Sequence, residues 1–173
     1  MSLRSLLILL LSRTFFSVLI LFCFASCNYK MVGVSQDTVK YKYYITEIIN
    51  KDAESDYYSI TREEVYHFFS ENGLLKNTDE ADYYIKITLE KLKTDTVIES
   101  STEQAISSEI TPVFNITVRD KSGKKVFDKV FENYQIYYVG SNISINLQNR
   151  YNAFRQALKD TLLDFRYDFE SQA

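Results

Sequence analysis

The sequence contains few of the residues that build most catalytic and metal sites. It has two cysteines, one histidine, one proline, four glycines and no tryptophan among 173 residues. His67, between apolar residues on a predicted helix, has no histidine or thiol partner and is expected at the surface. Acidic residues 79–82 lack the spacing of a calcium loop, and no glycine-rich phosphate loop is present. We therefore expect a protein that is not an enzyme and has no catalytic residues, metal or soluble cofactor.

Beyond residue 26, the chain also lacks disulfides and excess positive charge. Cys23 and Cys27 both lie near the amino terminus, so the rest of the chain has no further thiol, which suits an oxidising compartment. Removing residues 1–26 leaves 147 residues, enough for one domain with its own core. This part has 18 basic and 23 acidic residues, which argues against a globally basic nucleic-acid-binding protein.

The amino terminus has the pattern of a secretory signal. An uncharged apolar run from Thr14 to Ser26 follows Arg4 and Arg13, and no acidic residue precedes it. The run is shorter than the roughly 18 residues of a membrane span. Extending it back to Ser5 would bury Arg13 near mid-membrane at a cost of about 2.5–3.5 kcal/mol. A membrane anchor and a plain secreted protein remain the alternatives.

The signal ends in a motif that indicates lipidation. Phe24-Ala25-Ser26-Cys27 resembles a bacterial lipobox, although Phe24 stands where Leu or Val is usual. Two small residues precede the cysteine, as a lipoprotein signal peptidase requires. We therefore expect a diacylglycerol and an N-acyl chain on Cys27. The predicted organisation is a lipoprotein signal peptide at 1–26, a lipidated tether at 27–38 and a single domain at 39–173.

Alternation of apolar and polar residues predicts four strands. The first covers 39–46, the second runs from about 83 to Ile98, the third ends at Arg119 after a polar loop at 100–108, and the fourth covers 126–139 after a tight turn at 120–123. Inward-facing residues are expected at Val39, Tyr41, Tyr43, Ile45, Ile85, Ile87, Leu89, Ile110, Phe114, Ile116 and Val118.

Three irregularities interrupt this pattern. Glu90-Lys91 breaks the alternation of the second strand and predicts a bulge. Pro112 cannot donate to a ladder, so that end of the third strand is expected to be an edge or a bulge. The fourth strand has bulky residues on both faces, with Phe127 and Phe131 on one and Val126 and Val130 on the other. This indicates a sheet covered on both sides, one of them by something outside this chain.

Two helices complete the pattern. The first ends before Gly73, a favourable residue after a helix. It begins either at a capping box of Thr61 and Glu64 or, as we prefer, at Ser55 or Asp56. The second covers 144–169, and its apolar stripe consists of Leu147, Tyr151, Phe154, Leu158, Leu162, Phe165 and Phe169.

The element order β-α-β-β-β-α predicts an α+β fold that forms a two-layer sandwich. The first β-α-β unit should be a right-handed crossover with two parallel strands, and hairpins should join the rest. Two helices on one face of a mixed four-stranded sheet would bury both apolar stripes.

Several short motifs together resemble those of LptE, the lipopolysaccharide-assembly lipoprotein family. Tyr29, Lys30 and Gly33 follow the lipobox cysteine, and Glu80-Ala81-Asp82 opens the second strand ahead of the long meander and closing helix. The resemblance implies a lipid-anchored protein on the periplasmic side of the outer membrane. It implies a plug and assembly partner of an LptD-like β-barrel that helps deliver lipopolysaccharide to the outer leaflet. The alternative is a free-standing binding or scaffold lipoprotein without a barrel.

Lipopolysaccharide is anionic, so a protein that binds it needs local positive charge. The densest basic stretch surrounds the predicted turn at 120–123. We expect its cations to contact phosphates. A solvated turn is the alternative. The candidate lipopolysaccharide-binding residues are Arg119, Lys121, Lys124, Lys125 and Lys129.

Overall fold

The computed structural model describes residues 41–51, 55–99 and 105–172. The predicted signal peptide, Cys27, the tether and the inward-facing Val39 lie outside the described residues. The elements are β1 (Tyr43–Asn50), α1 (Ser55–Glu71), β2 (Tyr83–Glu99), β3 (Ala105–Asp120), β4 (Lys125–Glu132), β5 (Gln135–Tyr138) and α2 (Ile143–Gln172).

The strands form one mixed sheet in the order β1-β2-β3-β4, with β5 also paired to β3. β1 lies parallel to β2, and the other pairs are antiparallel. The predicted α+β fold is therefore confirmed, with five strands in place of four. The expected strand over 126–139 is divided into β4 and β5, which are separated by Asn133 and Tyr134.

Pro112 explains this division. We expected an edge or a bulge here, and an edge is wrong because β3 lies between β2 on one side and β4 and β5 on the other. β4 pairs with β3 from Val113 onward, and β5 pairs only up to Ile110. Pro112 lies in the gap between these two pairings, so its missing N–H interrupts neither the β3–β4 nor the β3–β5 ladder.

The predicted loop at 100–108 is wrong from residue 105 onward, because β3 already begins there. Ser107 pairs with Tyr138 of β5, and Ser108 pairs with both Thr96 of β2 and Tyr137 of β5. Strands on both sides therefore hold this polar segment in an extended conformation. These strands are distant in the sequence, so local sequence does not reveal their effect.

The predicted bulge in β2 is confirmed by a register shift between Leu89 and Lys91. Ile85, Ile87 and Leu89 are fully buried before it. Leu92, after it, packs against the same core because the extra residue changes the parity of the strand. Thr88 occupies the opposite, outward-facing phase as expected, yet it is buried because β2 is a central strand.

α1 begins at Ser55, which confirms the longer of the two predicted helices. Thr61 is therefore not a cap. It is buried, and its hydroxyl donates to the Tyr57 carbonyl at 2.7 Å. The helix ends before Gly73, whose φ of 65° is the left-handed conformation expected of a residue after a helix.

Both helices pack on the same side of the sheet, where one aromatic-rich core lies between the layers. The stripe of α2 is buried from Phe154 to Phe169, and Tyr151 is partly buried against the core. Leu147 departs from the prediction, because 42% of its surface remains exposed. The first turns of α2 extend beyond the core, because its buried residues start only at Ala153. Leu147 therefore has no apolar layer to pack against.

Candidate functional site

The candidate basic site lies at the β3–β4 turn, which is built by Asp120. The Asp120 carboxylate accepts hydrogen bonds from the Ser122 amide at 2.8 Å, the Ser122 hydroxyl at 2.6 Å and the Lys124 amide at 3.1 Å. These donors, the Ser122 hydroxyl first, hold the pKa of Asp120 below its ordinary value. Gly123 completes the turn with a φ of 82°, so the predicted tight turn is confirmed.

The fold brings carboxylates from distant segments to the cations of this turn. Lys121 faces Asp82 at 3.8 Å, Lys125 faces Asp128 at 2.5 Å, and Lys129 pairs with Asp168. The hydrogen bond from Lys125 is the main reason that the pKa of Asp128 lies below its ordinary value.

Two candidate residues have other environments. Arg119 donates to the Gly123 carbonyl at 2.8 Å. The ammonium of Lys124 has no partner among residues 41–51, 55–99 and 105–172. Lys124 is therefore the cation of the five most available to an anionic ligand.

The sheet face opposite the helices is polar and crossed by ion pairs. Lys86 pairs with Glu47 at 2.7 Å, Lys51 pairs with Glu90 at 2.7 Å, and Lys93 pairs with Glu132. Asn115 and Thr117 both donate to Asp128, at 3.1 and 3.2 Å. The first two pairs join β2 to β1 or to the residue after it, and the Lys93–Glu132 pair reaches from β2 across β3 to β4. None of the described helices covers this face.

Apolar side chains also reach this open face. Val126 and Val130 of β4 are 43% and 54% exposed, whereas Phe127 and Phe131, on the other side of the same strand, are buried. This agrees with the bulk predicted on both sides of the strand. The open face therefore combines paired charges with isolated valines.

A shallow groove follows the outer side of β1, where α1 overhangs the edge of the sheet. One part of it, about 380 Å³, is lined by Tyr44, Ile45, Tyr66 and Leu75. The adjoining part is lined by Ile48, Tyr58 and Arg62. The lining also includes charged groups: Glu47, Lys76 and Glu80, of which Lys76 faces Glu80 at 3.8 Å.

The remaining candidate groups in the described residues are His67 and the carboxylates. His67 lies at the surface as predicted, with its Nε2 3.2 Å from Glu71 Oε1. Within 41–51, 55–99 and 105–172, no group of three or more His, Cys, Asp or Glu side chains is placed to hold a metal ion. In the same ranges, neither helix combines the length and hydropathy of a membrane span.

No protein-family model matches the sequence, and no curated protein matches it. Solved structures do resemble the fold. A Xanthomonas campestris protein of the DUF330 family model matches with a TM-score of 0.52 and 11% identity, over 77% of this chain and 89% of that chain. A hypothetical protein from Chlamydia trachomatis matches with a TM-score of 0.52 and 10% identity, over 73% of this chain and 95% of that chain. These two matches show the fold alone.

Bacterial lipoproteins also occur among the structural matches. The rare lipoprotein B from Shewanella oneidensis has 16% identity and a TM-score of 0.49, over 73% of this chain and 97% of that chain.

One exposed apolar surface was not predicted from the sequence. Residues 133–149 contain no Asp, Glu, Lys or Arg, although charged residues make up 25% of the chain. The structure places exposed isoleucines and tyrosines in this segment. The absence of charged residues over these 17 positions was the sequence feature that could have indicated this surface.

Proposed function

We propose that this protein is an outer-membrane lipoprotein, anchored on the periplasmic side through lipid on Cys27, that acts without catalysis as a plug and assembly partner of an LptD-like β-barrel. Delivery of lipopolysaccharide to the outer leaflet is the process it serves. Support for the anchor comes from the run Phe24-Ala25-Ser26-Cys27 at the end of the apolar signal.

One structural observation carries the barrel role: the open, polar face of the sheet. The interior of an outer-membrane barrel is polar, so a plug needs an outer surface of paired charges and hydrogen-bonding groups. The cross-strand pairs Lys86–Glu47 and Lys93–Glu132 provide such a surface. The exposed Val126 and Val130 add apolar contacts between the polar ones.

The alternative is a free-standing lipoprotein that binds or scaffolds without entering a barrel. The groove beside β1 favours this alternative, because Tyr58, Arg62 and Tyr66 line a concave surface that a ligand could occupy. The two candidates differ in whether a large membrane protein surrounds the domain.

Detergent co-purification combined with photo-crosslinking distinguishes these candidates. A photoreactive phenylalanine would replace Asn115, on the open sheet face, or Tyr167, which is 77% exposed on α2. A plug should co-purify one large β-barrel protein and crosslink to it from both positions. Crosslinks from Asn115 alone would indicate a partner that docks on one face, and no barrel at either position would contradict the barrel role.

The basic turn provides a separate prediction about lipopolysaccharide. Changing both Lys124 and Lys125 to Glu should weaken lipopolysaccharide binding, because it reverses the unpaired cation and its neighbour without altering the core. Lys124→Glu alone should account for most of the loss, since Lys125 already faces Asp128.

Binding of labelled lipopolysaccharide measures this effect, and circular dichroism checks the fold. Lys91→Glu is the matched control, because Lys91 is an exposed lysine on β2 away from the turn. Unchanged binding by the double variant would remove this turn from the lipopolysaccharide site.

A further inference from the structure

One end of the domain is uncharged. Residues 133–149, here called the uncharged tip, contain no Asp, Glu, Lys or Arg. They include β5 and the first turns of α2. β5 pairs with residues 107–110 near the start of β3. Tyr41, where the described chain begins, contacts Phe169 near the far end of α2. The tip therefore lies at the end of the domain opposite to the entry of the tether.

The uncharged tip exposes large apolar side chains from both a strand and a helix. The side chain at the start of α2, Ile143, is 83% exposed. Large exposed apolar side chains gathered at one end of a domain mark a contact surface, and here they come from both faces of the sheet end. Those of the tip are Tyr134 (61% exposed), Ile136 (53%), Tyr138 (59%), Ile143 (83%), Ile145 (54%) and Leu147 (42%).

Neutral amides satisfy the backbone of the same segment. Asn142 Oδ1 accepts from the amides of Ser144 and Ile145 at 3.0 and 3.2 Å, which caps α2. The Asn146 amide group binds both the N–H and the C=O of Gly140, at 2.8 and 2.7 Å. Polar groups that are bonded internally lose little when water is removed from around them, and no charge in the tip opposes that removal.

We propose that the uncharged tip inserts into the interfacial region of a lipid bilayer. Isoleucine side chains would enter the acyl boundary, and tyrosines would remain at headgroup level with their hydroxyls in the polar zone. The tip has no lysine or arginine, so the contact needs no anionic lipid and does not weaken with salt. The contact belongs to the lipoprotein by itself and does not depend on the proposed barrel.

The length of chain before the domain is compatible with this contact. Residues 27–40 can span at most about 46–50 Å when extended. α2 is 30 residues long, or about 45 Å. The chain between Cys27 and the domain is therefore long enough for a lipid on Cys27 and the uncharged tip to reach the same bilayer. The apolar surface would then be a second membrane signal beside the lipid.

The absence of tryptophan from the chain makes this proposal directly testable. Ile143→Trp places a single indole in the tip of the mature, lipidated protein. Tyr167→Trp is the matched control, an equally exposed position on the same helix but outside the tip. Both proteins would be reconstituted in phosphatidylcholine vesicles with and without brominated acyl chains.

We expect blue-shifted emission from the Ile143→Trp protein and roughly twofold or greater quenching by brominated lipid relative to the control, unchanged by high salt. Adding Ile136→Ser and Ile145→Ser, both at exposed positions, should abolish the difference without unfolding the protein. Water-like emission from both proteins would overturn the proposal. A blue shift without quenching by brominated lipid would also overturn it, because it would indicate contact with a second copy of the protein.

Discussion

At the scale of single residues, Tyr43 places a polar hydroxyl inside the aromatic core. Its side chain is fully buried, with ring centroids 5.5 Å from Phe69, 6.2 Å from Phe165 and 6.1 Å from Phe169. Among the described residues, its hydroxyl has no hydrogen-bond partner. Burial raises the pKa of Tyr43, because the phenolate would lose its hydration. The ring stabilises the core, whereas the hydroxyl destabilises it.

Replacing Tyr43 with Phe should therefore raise the free energy of unfolding, by about 1–2 kcal/mol, because a buried unsatisfied hydroxyl is removed. Chemical denaturation measures this change. Tyr44→Phe, at a half-exposed position on the same strand, should have little effect. A destabilised Tyr43→Phe protein would show that the hydroxyl is satisfied in solution.

The buried hydroxyl of Tyr43 should also make the free energy of unfolding depend on pH in the alkaline range. An unfolded tyrosine ionises near pH 10, whereas buried Tyr43 keeps its proton above that pH. The unfolded state then binds fewer protons, so stability falls above about pH 10, by up to about 1.4 kcal/mol per pH unit from this residue. Urea unfolding of the Tyr43→Phe protein between pH 9 and 11 should show a correspondingly shallower decline than the parent protein.

At the scale of elements, the contact between the helices depends on one acidic residue. Glu64 of α1 lies 3.2 Å from Arg155 Nε and 3.6 Å from Lys159 Nζ of α2, and its side chain is only 11% exposed. Nearby, the Tyr151 hydroxyl donates to Asp56 at 2.7 Å. These polar contacts fix the register of two helices whose apolar stripes would tolerate sliding.

Glu64→Ala should lower the free energy of unfolding by about 1–3 kcal/mol, because it removes the nearly buried carboxylate that pairs with the partly exposed Arg155 and Lys159. Glu63→Ala is the matched control, since Glu63 is an exposed neighbour on the same helix. Thermal unfolding of the two variants measures the difference. Equal melting temperatures would mean that the apolar contacts alone hold the helices.

Predictability from sequence also varies by element. The inner face of β2 could be predicted because Ile85, Ile87 and Leu89 alternate strictly, and the bulge followed from the change of parity at Leu92. The start of β3 could not, because Ser107 and Ser108 have weak strand preference and are held by partners far away in the chain.

The candidate site was predictable only in part, for a similar reason. Local sequence identified the cluster of cations and the turn at Asp120. It could not show that Asp82 and Asp168 would lie beside Lys121 and Lys129, because those pairs are formed only by the tertiary fold. The uncharged tip was visible as a run without charge, but its exposure depended on where the core ends.

At the scale of the whole molecule, the two ends of the domain have opposite chemistry. One end has the β3–β4 turn with its cations, and the other has the uncharged tip. A long helix and two long strands, β2 and β3, connect them. If Cys27 is lipidated, the protein is held at a membrane through a tether that joins the domain near the charged end.

The lipid anchor itself gives the prediction at this scale. Labelled palmitate should be incorporated into the parent protein, and Cys27→Ala should abolish the label because no other cysteine follows the predicted cleavage site. Cys23→Ala is the matched control and should keep the label. Absence of label from the parent protein would contradict the lipoprotein assignment and the anchored part of the proposed function.

The parallel position of β1 has a consequence for synthesis. β1 is among the first parts of the domain to emerge from a translocating chain, yet among the described strands it pairs only with β2, some forty residues later. Until residues 83–89 have emerged, the ladder between β1 and β2 cannot form, and an unpaired strand is a site for adventitious association. If the chain is exported as proposed, its exposure to such association therefore depends on how soon β1 pairs with β2.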